Sequence, residues 1–151
     1  MIIEIKKTRE DARLPSRANP SDAGADLFFC PEEPLVQRLK PGQSKLFQTG
    51  LKFEIPHGYM LEVKNRSGMA AKRSLIVGAC VVDSGYDGEV FVNLHNIGTS
   101  DQIIYPGDKI AQVVLTPVVS FRVREVERDL YVEPVTISNR GDGALGSTGD
   151  N

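Results

Sequence analysis

The sequence predicts an all-β fold, a barrel or a sandwich rather than an alternating α/β chain, and three observations carry that expectation. Turn signals recur at short intervals from Pro31 onward: Pro41-Gly42, Thr49-Gly50, Pro56-His57-Gly58, Ser67-Gly68, Gly85 to Gly88, Gly98 and Pro106-Gly107. The runs between them are short and alternate apolar with polar residues, as Leu51-Lys52-Phe53-Glu54-Ile55 and Met60-Leu61-Glu62-Val63-Lys64 do, and period two marks a strand with one buried face. Only Met69-Ala70-Ala71-Lys72-Arg73 has the composition of a helix, and it is barely more than one turn. Many short strands at regular spacing indicate a closed or two-layered β architecture.

Taken in order, Ile2 to Lys7 alternates apolar and charged residues and reads as a strand, and Arg9 to Pro20, with Pro15, Ser16, Asn19 and Pro20, reads as a loop. Ala23-Gly24-Ala25-Asp26-Leu27-Phe28-Phe29 is a short strand with one acid in its middle. An acid on an apolar strand needs a partner or an exit to solvent, so Asp26 is a candidate site residue or a carboxylate satisfied by the N–H groups of a neighbouring turn. Arg66-Ser67-Gly68 leads into the helix with Ser67 as its expected N-cap, and a guanidinium, a hydroxyl and a flexible step at a helix start suit an anion as well as a plain cap.

The stretch from Val77 to Leu94 reads as a β-hairpin: apolar runs up to Val82 and from Val90 flank the polar turn Asp83 to Gly88. Asp83 sits where the first run ends, beside the phenol of Tyr86, an arrangement that suits either a ligand pocket or an ordinary hairpin with a solvated acid. Pro106-Gly107 opens a further strand through Leu115, with Gln112 as its lone polar interruption, free to donate to a ligand or to a neighbouring strand. Phe121 to Val126 alternates again, and Glu127 to Ser138 has no clear period. The chain from Asn139 to Asn151 is glycine-rich with almost nothing apolar to bury, so the expected division is a β domain over 1–138 and a tail over 139–151. Arg140 and Gly146-Ser147-Thr148-Gly149 supply a forked cation, hydroxyls and approachable backbone N–H groups, the makings of a phosphate cradle or of a disordered tail.

Composition narrows the partners. With 151 residues, 40% hydrophobic content and a net charge of −2, the chain fits one ordinary globular domain. No apolar run approaches the roughly 18 residues of a membrane span, and the N-terminus alternates charge too early for a signal peptide, so a cytoplasmic protein without a membrane partner is expected. No basic face or run is visible for nucleic acid. Cys30 and Cys80 have no metal-like spacing and stand apart from His57 and His95, which points to neither zinc nor a disulfide framework; both thiols read as small buried residues.

Taken together, Ala23-Gly24-Ala25-Asp26-Leu27, Arg66-Ser67-Gly68, Val82-Asp83-Ser84-Gly85-Tyr86-Asp87-Gly88, Gly107-Asp108-Lys109-Ile110-Ala111-Gln112 and Arg140 through Gly149 resemble the ordered motifs of the trimeric dUTP pyrophosphatases, the dUTPases. The resemblance implies a distorted, jelly-roll-like β-barrel forming a homotrimer, with the tail of one subunit closing over a site built by others. It implies hydrolysis of dUTP to dUMP and pyrophosphate, which limits uracil incorporation into DNA and supplies dUMP for dTTP synthesis. By that resemblance Asp83 is the acid that aims the attacking water, Tyr86 packs on deoxyribose and excludes a 2′-hydroxyl, and the backbone from Gly78 through Val82 to Tyr86 meets the uracil edge. Arg66, Ser67, Gly68 and Gln112 resemble phosphate contacts. Arg140 with Ser147 and Thr148 resembles the tail's γ-phosphate contacts, Gly146 is a further substrate-binding residue of the tail, and Asp26 is a structural or magnesium-water-linked acid. Magnesium would be held by the triphosphate and waters, with no direct protein ligand.

The chain departs from the family pattern at Ala144-Leu145, where an aromatic is usual and Leu145 can cover the base without stacking, at Cys80, where glycine is common, and at Asn65, where proline often precedes the arginine. Phe121 to Asn139 is also longer than usual. A dCTP deaminase shares the resemblance but needs a glutamate on the strand after the turn, where Asn93 stands. A dUTPase-like regulator that binds nucleotide without turnover, and a jelly-roll binding module with other ligands, are the remaining readings.

Overall fold

The computed structural model describes residues 1–130, so Arg140, Leu145, Gly146, Ser147 and Thr148 lie outside the described residues. Contacts divide the chain into Met1–Ser120 and Phe121–Asn151. Within the second unit, residues 121–130 carry neither helix nor strand. The first unit contains β1 Glu4–Lys7, β2 Ala25–Phe28, β3 Gln37–Leu39, β4 Ser44–Gln48, β5 Leu51–Glu54, β6 Tyr59–Lys64, α1 Ser67–Arg73, β7 Leu75–Val77, β8 Val81–Val82, β9 Phe91–Asn96, β10 Gln102–Ile104 and β11 Lys109–Pro117. The strands pair antiparallel in a four-stranded sheet β2-β11-β6-β8, a three-stranded sheet β4-β9-β7 and the two-stranded pairs β1-β5 and β10-β3.

Alternation sets which face goes inward. In β5, Leu51 and Phe53 are buried while Lys52 and Glu54 face out; in β9, Val92, Leu94 and Asn96 are buried and Phe91, Asn93 and His95 take the other face. The core gathers Leu27, Leu39, Phe47, Leu51, Leu94 and Ile110, with Phe29 and Phe47 edge to face at 5.1 Å. Asn96 is the polar exception on the inner face, and its amide is fully used: Nδ2 donates to the carbonyls of Leu39 at 2.9 Å and Ser100 at 2.8 Å, and Oδ1 accepts from the Gly98 N–H at 3.0 Å.

Three expectations change. The apolar runs on either side of Asp83–Gly88 pair only at their outer ends, where Val77 faces Leu94 in the β7–β9 ladder and Gly78 N–H donates to the Asn93 carbonyl at 2.9 Å; Val81–Val82 leave that ladder and pair with β6, so the turn is a corner between two sheets. The helix begins at Ser67, with Arg66 in extended conformation at the cap position and no side-chain cap, so Ser67 is not the N-cap. Cys30 is buried as expected, but Cys80 is exposed, because it lies in the loop between β7 and β8.

Candidate active site

The site residues within the described part fall into two groups. In the first, Asp26 on β2 stands opposite Gln112 on β11 in the ladder register, and Arg66 reaches over from the start of α1. Arg66 Nε donates to Asp26 Oδ1 at 2.8 Å, and Lys109 Nζ lies 3.0 Å from Oδ2, so two cations neutralise one carboxylate that is only 15% exposed. The lone acid on the strand therefore finds side-chain cations rather than the N–H groups of a neighbouring turn. Gln112 Nε2 donates to the Asn65 carbonyl at 2.8 Å. Its side chain occupies the space above Gly24, where an added Cβ would stand 2.1 Å from Gln112 Oε1 and would displace the carboxamide. Asp26, Arg66, Ser67, Gly68 and Gln112 line one cleft of about 320 Å³, with Ser67 and Gly68 exposed at its edge.

The second group forms around the loop between β7 and β8. Gly78 N–H donates to the Asn93 carbonyl at 2.9 Å and Ala79 N–H to Asn93 Oδ1 at 3.1 Å, while the Cys80 carbonyl accepts from Val63 N–H at 2.7 Å. Gly78 has no room for a side chain, since a Cβ would meet His95 Nε2 at 2.3 Å. After β8 the chain turns: Tyr86 N–H donates to the Asp83 carbonyl at 3.2 Å, Gly85 takes φ +87°, and Ser84 Oγ donates to the Ile55 carbonyl at 3.2 Å. Val82, Asp83 and Tyr86 line a largely apolar cleft of about 230 Å³ together with Cys80, Phe91 and Asn93. The Asp83 side chain is exposed and makes no ion pair among the described residues.

Four contributors were not singled out as site residues from the sequence. Lys109 is the second cation on Asp26, and only the register of β11 against β2 brings it there. Asn65 joins the two groups, because its carbonyl holds Gln112 and its Oδ1 accepts from Val77 N–H at 2.7 Å. Asn93 organises the loop around Gly78, and Glu89 accepts several donors behind the turn. Asn65 was legible as an unusual residue before the arginine and Asn93 as the residue standing where a deaminase needs glutamate; Lys109 and Glu89 carried no local signal.

A family model described as dUTPase matches residues 10–149. The chain belongs to the dUTPase family. Among curated relatives, the deoxyuridine 5'-triphosphate nucleotidohydrolase of Chlamydia pneumoniae is 45% identical over 140 residues, covering 90% of each chain. That of Clostridium novyi (strain NT) is 37% identical over 151 residues, covering 99% of each. Among solved structures, a variant dUTPase of Staphylococcus bacteriophage 80alpha with dUpNHpp superposes with a TM-score of 0.84 at 24% identity over 98% of both chains, which shows the dUTPase fold. A variant dUTPase from phage phi11 of S. aureus, which coordinates a structural Mg(II) ion, gives a TM-score of 0.76 at 25% identity over 85% of this chain and 98% of that one.

Proposed function

We propose that this dUTPase hydrolyses dUTP to dUMP and pyrophosphate by attack of a water, aimed by Asp83, on the α-phosphorus. The observation that carries the assignment is the contrast between two acids. Asp26 is neutralised by Arg66 and Lys109 and works as a strut for the cations, whereas Asp83 is exposed, free of ion pairs among the described residues, and beside Tyr86 at the base cleft. A water held by that carboxylate forms the new P–O bond as the α–β bridging bond breaks, its proton passing to the carboxylate and on to solvent, and pyrophosphate departs with the electron pair; such a reaction needs positioning and charge neutralisation rather than a protein nucleophile.

Uracil and deoxyribose belong in the second cleft, with the loop from Gly78 to Val82 at the base edge and Tyr86 against the sugar. The phosphates belong to Arg66, Ser67, Gly68 and Gln112. The tail supplies Arg140, Gly146, Ser147 and Thr148 to the γ-phosphate, and Leu145 covers the base. Magnesium would be carried in on the triphosphate with water, since it tends to keep waters and phosphate oxygens as ligands. When bound, that ion supplies neutralisation of phosphate charge. Asn93 argues against deamination: its Oδ1 is engaged by Ala79 N–H, and a carboxamide offers no acid to shuttle a proton. The active form is a homotrimer in the cytoplasm.

Asp83→Asn should abolish dUTP hydrolysis while a non-hydrolysable dUTP analogue still binds within a few-fold of the parent affinity. Retention of a tenth of the parent turnover, a barrier change of only about 1.4 kcal/mol, would remove Asp83 from the central role.

A further inference from the structure

Glu89 lies just past the Asp83–Gly88 turn, and its carboxylate is a hub for groups from distant parts of the chain. Oε1 accepts from Arg9 and from the Gly50 N–H at 2.7 Å, and Oε2 faces Gln48 Nε2 at 3.5 Å. Arg9 also donates to the Cys30 carbonyl. The two charged side chains are 17% and 12% exposed, so the pair is largely shielded from water, where removing one partner leaves the other charge without compensation. Burial works against the Arg9 charge, and its hydrogen bonds to Glu89 and Cys30 more than offset this.

The residue so anchored also holds the Tyr86 ring. The phenol donates to the Glu89 carbonyl at 2.9 Å, and the ring lies on Gly88, where an added Cβ would stand 2.3 Å from the phenolic oxygen. The exposed turn has few other ties, the Ser84 hydroxyl on the Ile55 carbonyl at 3.2 Å and an outlying Lys52–Asp87 pair at 3.6 Å among them. Arg9 lines neither cleft.

We propose that Glu89, clamped by Arg9, is a positioning residue that fixes the Tyr86 ring and so sets the preference for deoxyribo- over ribonucleoside triphosphates; this rests on the reading of Tyr86 as the surface against the sugar. A ring fixed at both ends leaves no space for a 2′-hydroxyl. One whose carbonyl anchor has shifted yields that space and presses less firmly on deoxyribose.

The test compares kcat/KM for dUTP and UTP, together with melting temperature, in the full-length parent protein, Glu89→Gln, Arg9→Lys and a control, Asn96→Ala. Glu89→Gln keeps the shape and the Gly50 contact, and Arg9→Lys keeps the charge while losing the fork. Both should lower the dUTP-to-UTP ratio at least tenfold, chiefly through a higher KM for dUTP and a gain on UTP. Asn96→Ala removes a buried amide away from the turn and should lower the melting temperature with the ratio unchanged. Variants that melt lower but keep the ratio within twofold of the parent, or a fold that fails in both Glu89→Gln and Arg9→Lys, would assign the pair to stability alone and overturn the proposal. A parent protein that turns over neither triphosphate, or both alike, fails the reading of Tyr86 itself, and that result is seen before any variant is compared.

Discussion

Cys30 and Cys80 place the same thiol in opposite surroundings. Cys30 is buried between Arg9 and Asp11, with Sγ 3.5 Å from Asp11 Oδ1, and burial pushes its pKa up, so it stays a protonated, unreactive thiol. Cys80 is exposed in the loop assigned to the uracil edge. Iodoacetamide near pH 8 should therefore modify Cys80 and spare Cys30, and a non-hydrolysable dUTP analogue should slow the Cys80 reaction severalfold, both read by mass spectrometry of peptides. Rapid labelling of Cys80 in the nucleotide complex would place the base elsewhere. The raised Cys30 pKa also fixes a sign. The folded chain holds that proton more tightly than the unfolded chain, so stability is complete below the ordinary thiol range, about 8.5, and declines as pH rises through the raised folded value. Cys30→Ala should flatten that alkaline decline in urea titrations taken at successive pH values.

At the level of elements, the cleft proposed for the phosphates depends on β2, β11 and the start of α1 being locked together by one carboxylate. Asp26 is reached by Arg66 from forty residues away in the chain and by Lys109 from the adjacent strand. Removing it leaves two cations facing each other at the edge of the four-stranded sheet. Asp26→Ala should cost about 1.5–3 kcal/mol of stability, the scale of hydrogen bonds to charged groups, measured as a shift of the urea midpoint. The same variant should weaken binding of the dUTP analogue more than binding of dUMP if, as proposed, Arg66 contacts the phosphates, because the freed guanidinium loses the orientation that Asp26 gives it. An equal loss for both nucleotides would show that Asp26 serves the fold and not the cleft.

The whole molecule raises the question of what covers its exposed apolar side chains. Leu46 is 65% exposed and Val81 54%, and Leu46 pairs in register with Asn93 on the outward face of the three-stranded sheet, a surface suited to burial against further copies. The proposed homotrimer with sites shared between subunits would give the glycine-rich tail a place to bind. Mixing Asp83→Asn chains with chains truncated after Ser138, each inactive alone, should restore dUTP turnover after subunit exchange, with analytical ultracentrifugation reporting the mass. No recovery from trimers shown to mix would place the tail and Asp83 in one subunit's site. The tail itself should respond to the triphosphate: Leu145 lacks the stacking term of about 0.5–1.5 kcal/mol that an aromatic pair provides beyond area burial. Hydrogen exchange over 139–151 should slow with the dUTP analogue and magnesium but not with dUMP, and Leu145→Phe should tighten analogue binding by up to about tenfold.

The sequence by itself determined what depends on near neighbours along the chain. Period two in Leu51–Ile55 and Met60–Lys64, glycine at the turn after Asp83 and the single short helix all follow from local backbone preference, and the structure carries each of them within a residue or two. The order of the motifs was equally legible, because a family's chemistry fixes residue types at fixed intervals. Tertiary structure decided everything that depends on which strands meet. The runs flanking Asp83–Gly88 looked like partners along their length because they are adjacent in sequence, yet only Val77 and Leu94 at their outer ends share a ladder, and Val81–Val82 pair with β6 in another sheet. The same tertiary pairing leaves Cys80 exposed, sets Lys109 on Asp26 and brings Arg9 across eighty residues to Glu89. Pairings of that span leave no periodic trace in a single sequence, because a charge on an outward face and a charge about to be buried against a distant partner obey the same local pattern.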